Sequence, residues 1–267
     1  MNKEGVIKNK DEAIKMMTDY LDNCLAVDND SNIKKVNLIS YWQKDYINYI
    51  KNEKDFNPTN LKTYKRGDII KVNLGFNIGS ELGGLHYCVV IDKKNNRNSP
   101  VITVIPLSSQ KTDKINKNSI MLGNEIYNKL VEKSNKLLED SEKEIEDNKN
   151  QLLIETKKLT KHNATSDEIY LKTTELNNNI AEAYKKLELA KKINKEVQKM
   201  KYGSIAIINQ IRVISKQRIY DPKTEFDILS GINLSNENLN LIDDKMKKMF
   251  VNWKVKSNSE ELKAICT

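Results

Sequence analysis

Histidine occurs only twice in this sequence and cysteine only three times, and neither is placed to hold a metal. Cys24, Cys88 and Cys266 are far apart, odd in number and form no CxxC pair, and neither His86 nor His162 has a neighbour at ligand spacing. A disulfide framework and a zinc site are therefore not expected, and no cofactor is called for. No apolar run approaches the ~18–20 residues that a membrane helix requires, and the amino-terminal residues lack a signal-peptide pattern. The expected setting is a reducing cytoplasm, with no membrane contact. Glycine is scarce as well, nine in 267 residues, yet five of the nine fall within residues 67–84. One of the two histidines, His86, follows directly, ahead of the apolar run "CVVI".

What is abundant is charge. Charged residues make up 31% and the hydrophobic class only 38%, so apolar content must be concentrated to build a core, and the net charge of +8 admits an anionic partner. Residues 1–60 contain no strand pattern. Ala13, Ile14, Met17, Tyr20, Leu21 and Leu25 recur at helical spacing, and Val36, Ile39, Trp42, Tyr46, Ile47 and Ile50 repeat it after the break "DND". The spacing predicts two amphipathic helices. Residues 61–123 read as β: "DIIKVNLG", "YCVVIDKK", "SPVITVIPLSS" and "KNSIMLG" are short β-rich runs, and the polar link "KKNNRN" suits a hairpin.

Residues 124–200 have no Gly or Pro. Val131, Leu138, Ile145, Leu152 and Leu159 recur every seventh residue, as do Leu176, Ala183, Ala190 and Val197. "KHNATSDE" interrupts them, with Thr165 and Glu168 spaced as a capping box that restarts the helix. An antiparallel hairpin with arms of about 50 Å is expected, its first arm carrying a polar second row of Ser134, Ser141 and Asn148. Residues 201–267 resume the β pattern in "GSIAIINQIRVISKQRI" and end in an amphipathic helix with Ser235 as N-cap. Four regions follow: a helical extension (1–60), a β domain in two parts (61–123 and 201–267), and a helical hairpin inserted between them (124–200).

"RGDIIKVNLG", "IGSELGG", "CVVI" and "SPVITVIPLSS" stand in this order, and "SIAIINQIRVISKQRI" follows the insertion. Together they resemble the MazF/PemK family of toxin endoribonucleases over about residues 64–121 and 201–250. The resemblance implies an α+β fold, a small SH3-like β-barrel that carries the helical extension and a coiled-coil insertion and forms a homodimer. It implies metal-independent cleavage of single-stranded RNA to a 2′,3′-cyclic phosphate and a 5′-hydroxyl, with an antitoxin protein as partner. Family members carry a catalytic arginine after the double glycine and a catalytic threonine at the end of the "SP" strand. Here those positions are His86, in "GGLHY", and Ser108, with Ser109 beside it leaving the choice of hydroxyl open.

Cleavage of this kind needs the 2′-oxygen to attack phosphorus, a proton carrier and a partner for the developing charge. An imidazole exchanges protons near neutral pH, which arginine does not, so His86 suits the first role and Ser108 the second. Gly83 and Gly84 would let the main chain approach a phosphate, and Glu81 would organise the loop through backbone N–H groups. Arg97, Lys111, Arg212 and Arg218 are candidate phosphate contacts and Gln210 a base reader. Bland readings stand beside these: His86 as a strand histidine, His162 as a solvated turn residue, the arginines as plain surface. Two other functions remain open from sequence, a non-catalytic protein-binding module like the gyrase-poisoning branch of the same superfamily, and a structural assembly arm.

Overall fold

A computed structural model describes residues 2–110, 116–161, 165–201 and 203–252. The chain divides into two compact units, residues 1–57 with 73–85, and residues 58–72 with 86–267.

The first unit is built on α1 (Lys3–Ala26) and α2 (Asp30–Lys51). Each begins at an asparagine: Asn2 accepts from the Glu4 amide and Asn29 from the Asn32 amide, satisfying N–H groups that a first turn leaves unpaired. No residue of α1 is buried, and α2 buries only Val36 and Ile39. The glycine loop folds with these helices. The Gly75 backbone passes directly under the Trp42 ring, and Asn73 donates to Asp45 at 2.8 Å.

The second unit is a mixed α+β assembly. Its strands are β1 (Ile69–Asn73), β2 (Leu85–Val90), β3 (Val101–Ser109), β4 (Ser119–Gly123), β5 (Ser204–Ile207), β6 (Arg212–Ser215) and β7 (Ile219–Asp221). They form one sheet in the order β4-β5-β3-β2-β1-β7, with β6 paired to β3 off that path. β3 is the spine. Its first half pairs with β6 (Val101↔Ser215 to Val104↔Arg212), its second half with β5 (Leu107↔Ala206 to Ser109↔Ser204), and β2 runs along its other edge. The strand pairs with a resolved register are antiparallel.

Both faces of the central strands are covered, so they read as continuous apolar runs rather than alternating ones. On one face Ile69, Val89, Ile105 and Leu107 join Ile126, Leu130, Ile193 and Ile242 from the helices. On the other, Ile70, Val72, Cys88, Val90, Ile102, Val104 and Ile214 are buried. The short strand β7 was not expected from sequence; three residues carry too little pattern to announce themselves.

Helices α3 (Glu125–Lys161) and α4 (Ser166–Val197) leave the sheet between β4 and β5. Those strands pair with each other and end together at Gly123↔Ser204, so the hairpin grows from the open end of a strand pair. The helices run antiparallel: Ser134 donates to the Ala190 carbonyl, Lys186 reaches both oxygens of Glu144 at 2.7 Å, and Asn179 meets Asn148. Ser134 and Ser141, the polar row, are fully buried with satisfied hydroxyls, opposite the equally small Ala190 and Ala183. Thr165 and Glu168 make the reciprocal capping box, and Ser235 caps α5 (Asn236–Phe250). None of the described helices is long and apolar enough to cross a membrane.

Candidate active site

His86 lies near the start of β2, half-buried, with Nδ1 3.0 Å from the carbonyl oxygen of Leu107 on β3. A carbonyl can only accept, so Nδ1 carries a proton, and in the neutral ring Nε2 is then the nitrogen with the lone pair. The neighbouring strand thus fixes the orientation of the ring. The β2–β3 pairing runs from Val90↔Val104 to Cys88↔Pro106, and strand alternation from that last pair puts His86 and Ser108, each two residues further on, on one face. Ser109, one residue on, projects from the other face and pairs with Ser204. The two serines are therefore inequivalent, and Ser108 is the one that shares a face with His86.

Two residues along the same face is Cys88, fully buried, and burial pushes its thiol up to about 12 against the opposing pull of Arg212 and Arg218. Arg212, paired opposite Val104, falls on this same face by register. It binds back to Gln210, Nη2 to Oε1 at 2.9 Å and Nε to the carbonyl at 3.3 Å. Gln210 and Arg212 are thus one hydrogen-bonded pair rather than two separate contacts. Arg218 ends the tight turn Lys216–Arg218, which leads into Ile219 beside Val72 of β1.

Arg97 is elsewhere. It sits in the β2–β3 connection, at the other end of the pair, so roughly 15 Å of strand separates it from His86. Both Nε and Nη2 donate to the Thr59 carbonyl, which makes Arg97 a clamp on the segment entering the sheet. Lys111 and His162 lie outside the described residues.

The glycine loop, in the other unit, is closed by its own backbone. Gly84 donates its N–H to the Gly75 carbonyl at 2.6 Å, and Leu74 donates to the Gly84 carbonyl at 2.8 Å. A Cβ on Gly83 would stand 2.6 Å from the Gly75 oxygen, and one on Gly75 would stand 2.8 Å from the Trp42 ring. These approaches account for glycine at 75 and 83 without a ligand, and the Gly84 N–H has its partner inside the loop. Glu81 is exposed, and the organising bonds come instead from Asn77, whose Nδ2 donates to the carbonyls of Leu74 (3.1 Å) and Leu82 (2.6 Å). The sequence signal for this role is an Asn with a glycine two residues to either side, Gly75 and Gly79.

A third group joins the sheet to the hairpin. Glu196, on the last turn of α4, accepts from the Tyr87 hydroxyl at 2.5 Å and from Lys71, whose ammonium lies 5.1 Å from the Tyr87 ring centroid. Tyr87 adjoins His86, so the inserted hairpin is pinned to the strand that carries the histidine. Among the described residues no group of three or more His, Cys, Asp or Glu could hold a metal ion.

Residues 65–142 match the family model described as PemK-like, MazF-like toxin of type II toxin-antitoxin system. The matched span takes in the first four strands, with His86 and Ser108, and the start of α3; Gln210, Arg212 and Arg218 lie beyond it. No curated protein matches the chain.

Proposed function

We propose a function from one premise: this chain carries, over residues 65–142, a domain of the PemK-like, MazF-like toxin family. The chain is a toxin endoribonuclease that cleaves single-stranded RNA without a metal ion. The observation that carries this reading is the hydrogen bond from His86 Nδ1 to the carbonyl of Leu107, the residue before Ser108, which would leave Nε2 for proton transfer.

In the proposed reaction Nε2 takes the proton of the ribose 2′-hydroxyl and the 2′-oxygen attacks the adjacent phosphorus. The P–O5′ bond breaks, and the departing 5′-oxygen receives the proton from the imidazolium. The products are a 2′,3′-cyclic phosphate and a 5′-hydroxyl. Ser108 donates to a non-bridging oxygen as charge accumulates there, and Arg212 and Arg218 hold the phosphate chain. The finer architecture belongs to the same proposal. The sheet closes as an SH3-like barrel, the α3–α4 hairpin is a coiled-coil insertion, and the toxin acts in the cytoplasm as a homodimer restrained by an antitoxin protein.

The test is cleavage of labelled RNA by purified protein in EDTA, with end analysis for the cyclic phosphate. His86→Ala should lose at least about 100-fold in rate and Ser108→Ala a comparable factor, while Ser109→Ala changes little. Undiminished cleavage by His86→Ala would exclude the mechanism. Absence of cleavage by the wild type would favour the protein-binding alternative.

A further inference from the structure

The N-terminal unit holds an open pocket of about 790 Å³ between α1, α2 and the tip of the glycine loop. That is the size of small-ligand sites, roughly 300–1,000 Å³. Aromatic residues are 6% of the chain but four of the pocket's eleven lining positions, Tyr20, Trp42, Tyr46 and Phe76. The Trp42 and Tyr46 ring centroids are 5.6 Å apart with the planes tilted by 34°, and Tyr46 is 52% exposed. Lys35 is the single charged residue of the lining, its ammonium 5.1 Å from the Tyr20 ring centroid. Gln43 also lines the pocket, and its amide has no partner among the described residues.

We propose that this pocket binds an unstacked base of single-stranded RNA. Flat rings offer a stacking surface that every base can use. The free amide of Gln43 supplies both a donor and an acceptor to a base edge, and Lys35 faces the attached phosphate with no acid in the lining to oppose it. An apolar helix laid in the same groove would satisfy the rings but would strand the Gln43 amide and the Lys35 ammonium in a dry contact, which is costly. A nucleotide satisfies all three kinds of group. Seven of the eleven lining residues precede the family-matched segment and four, Phe76 to Gly79, lie within it, so the N-terminal helices add a wall to a loop of that domain. The inference rests on the RNA-cleavage reading only for the choice of RNA over another nucleotide-bearing chain.

The chain has two tryptophans, so a Trp253→Phe protein reports on Trp42 alone. Titrating it with a short 2′-O-methyl oligoribonucleotide, which cannot be cut by 2′-oxygen attack, should quench Trp42 fluorescence saturably. Sodium polyphosphate should leave the fluorescence unchanged. Phe76→Ala should weaken binding about tenfold or more, and Gln43→Ala several-fold with an altered base preference. Gln43→Ala removes no side-chain hydrogen bond among the described residues, so it tests the site even if loss of Phe76 disturbs the loop. Absence of quenching, or unchanged affinity in both variants, would overturn the proposal. Self-association abolished by Phe76→Ala, with no quenching by RNA, would assign the face to a second copy of the chain and overturn it equally. Quenching by the methylated strand with no cleavage of ordinary RNA would sink the nuclease reading and leave this one standing.

Discussion

Gly79 and Gly83 occupy the same loop, but a methyl group would meet different obstacles at each. At Gly79 the space is open and only the backbone objects, with φ of +62°. At Gly83 φ is unexceptional, but the new Cβ would stand 2.6 Å from the Gly75 carbonyl oxygen, which the Gly84 amide already holds. Gly79→Ala should therefore cost about 1 kcal/mol, the strain of a left-handed L-residue. Gly83→Ala should cost about 2–3 kcal/mol, because the obstacle is hydrogen-bonded main chain that cannot step aside. Chemical denaturation of the two variants side by side checks the order, and equal losses would show that the loop closure yields easily. At this scale the sequence was partly legible. "GGLHY" and "PLSS" pointed to His86 and Ser108 because position in a motif is a one-dimensional property. That Ser108 rather than Ser109 falls on the His86 side of the sheet follows from strand alternation, which only pairing reveals. That Arg97 is a clamp on Thr59 depends on a contact across 38 positions that no local pattern encodes.

Elements were easier to read than their junctions. Heptad rows and the Thr165/Glu168 box announced the two long helices because their signals repeat or lie within a turn. What fixes the hairpin to the sheet is one carboxylate, Glu196, whose partners Lys71 and Tyr87 lie 125 and 109 residues away in the chain. Burial pushes the Glu196 carboxyl up, but the bonds from Lys71 and Tyr87 outweigh it and hold the group below its usual value. A carboxylate held low stabilises the fold while ionised. Its contribution is full at neutral pH and fades as pH falls through the depressed value. Glu196→Gln keeps an acceptor for Tyr87 and removes the charge facing Lys71. It should lower stability by about 1–2 kcal/mol at pH 7, and the gap from wild type should close on acidification below the carboxylate range. A gap independent of pH, measured by thermal unfolding across the acid limb, would mean that packing rather than charge joins hairpin to sheet.

Across the whole molecule, composition suggested four consecutive regions with a boundary near residue 60, whereas the chain compacts as two interleaved units. Residues 73–85 leave their flanking strands and fold with the N-terminal helices, because Trp42 covers Gly75 and Asp45 holds Asn73. Nothing in a strand-like run ending in glycine discloses that a tryptophan from a preceding helix will lie on it. The hairpin raises the same question of where cooperativity ends, and two leucines decide it. Leu130 is 0% exposed and Leu176 is 1% exposed, so each loses equivalent burial on truncation. Leu130 belongs to the cluster that joins the sheet to α3, α4 and α5, whereas Leu176 lies outside that cluster, on the outer part of the hairpin. Leu130→Ala should cost about 3 kcal/mol in global unfolding, the usual range for a cavity in a shared core. Leu176→Ala opens a cavity whose walls are the hairpin's own. It should leave the sheet's transition within about 1 kcal/mol of wild type while accelerating amide exchange along the outer hairpin. If Leu176→Ala instead lowers the global transition as far as Leu130→Ala, the hairpin and the sheet unfold as one body.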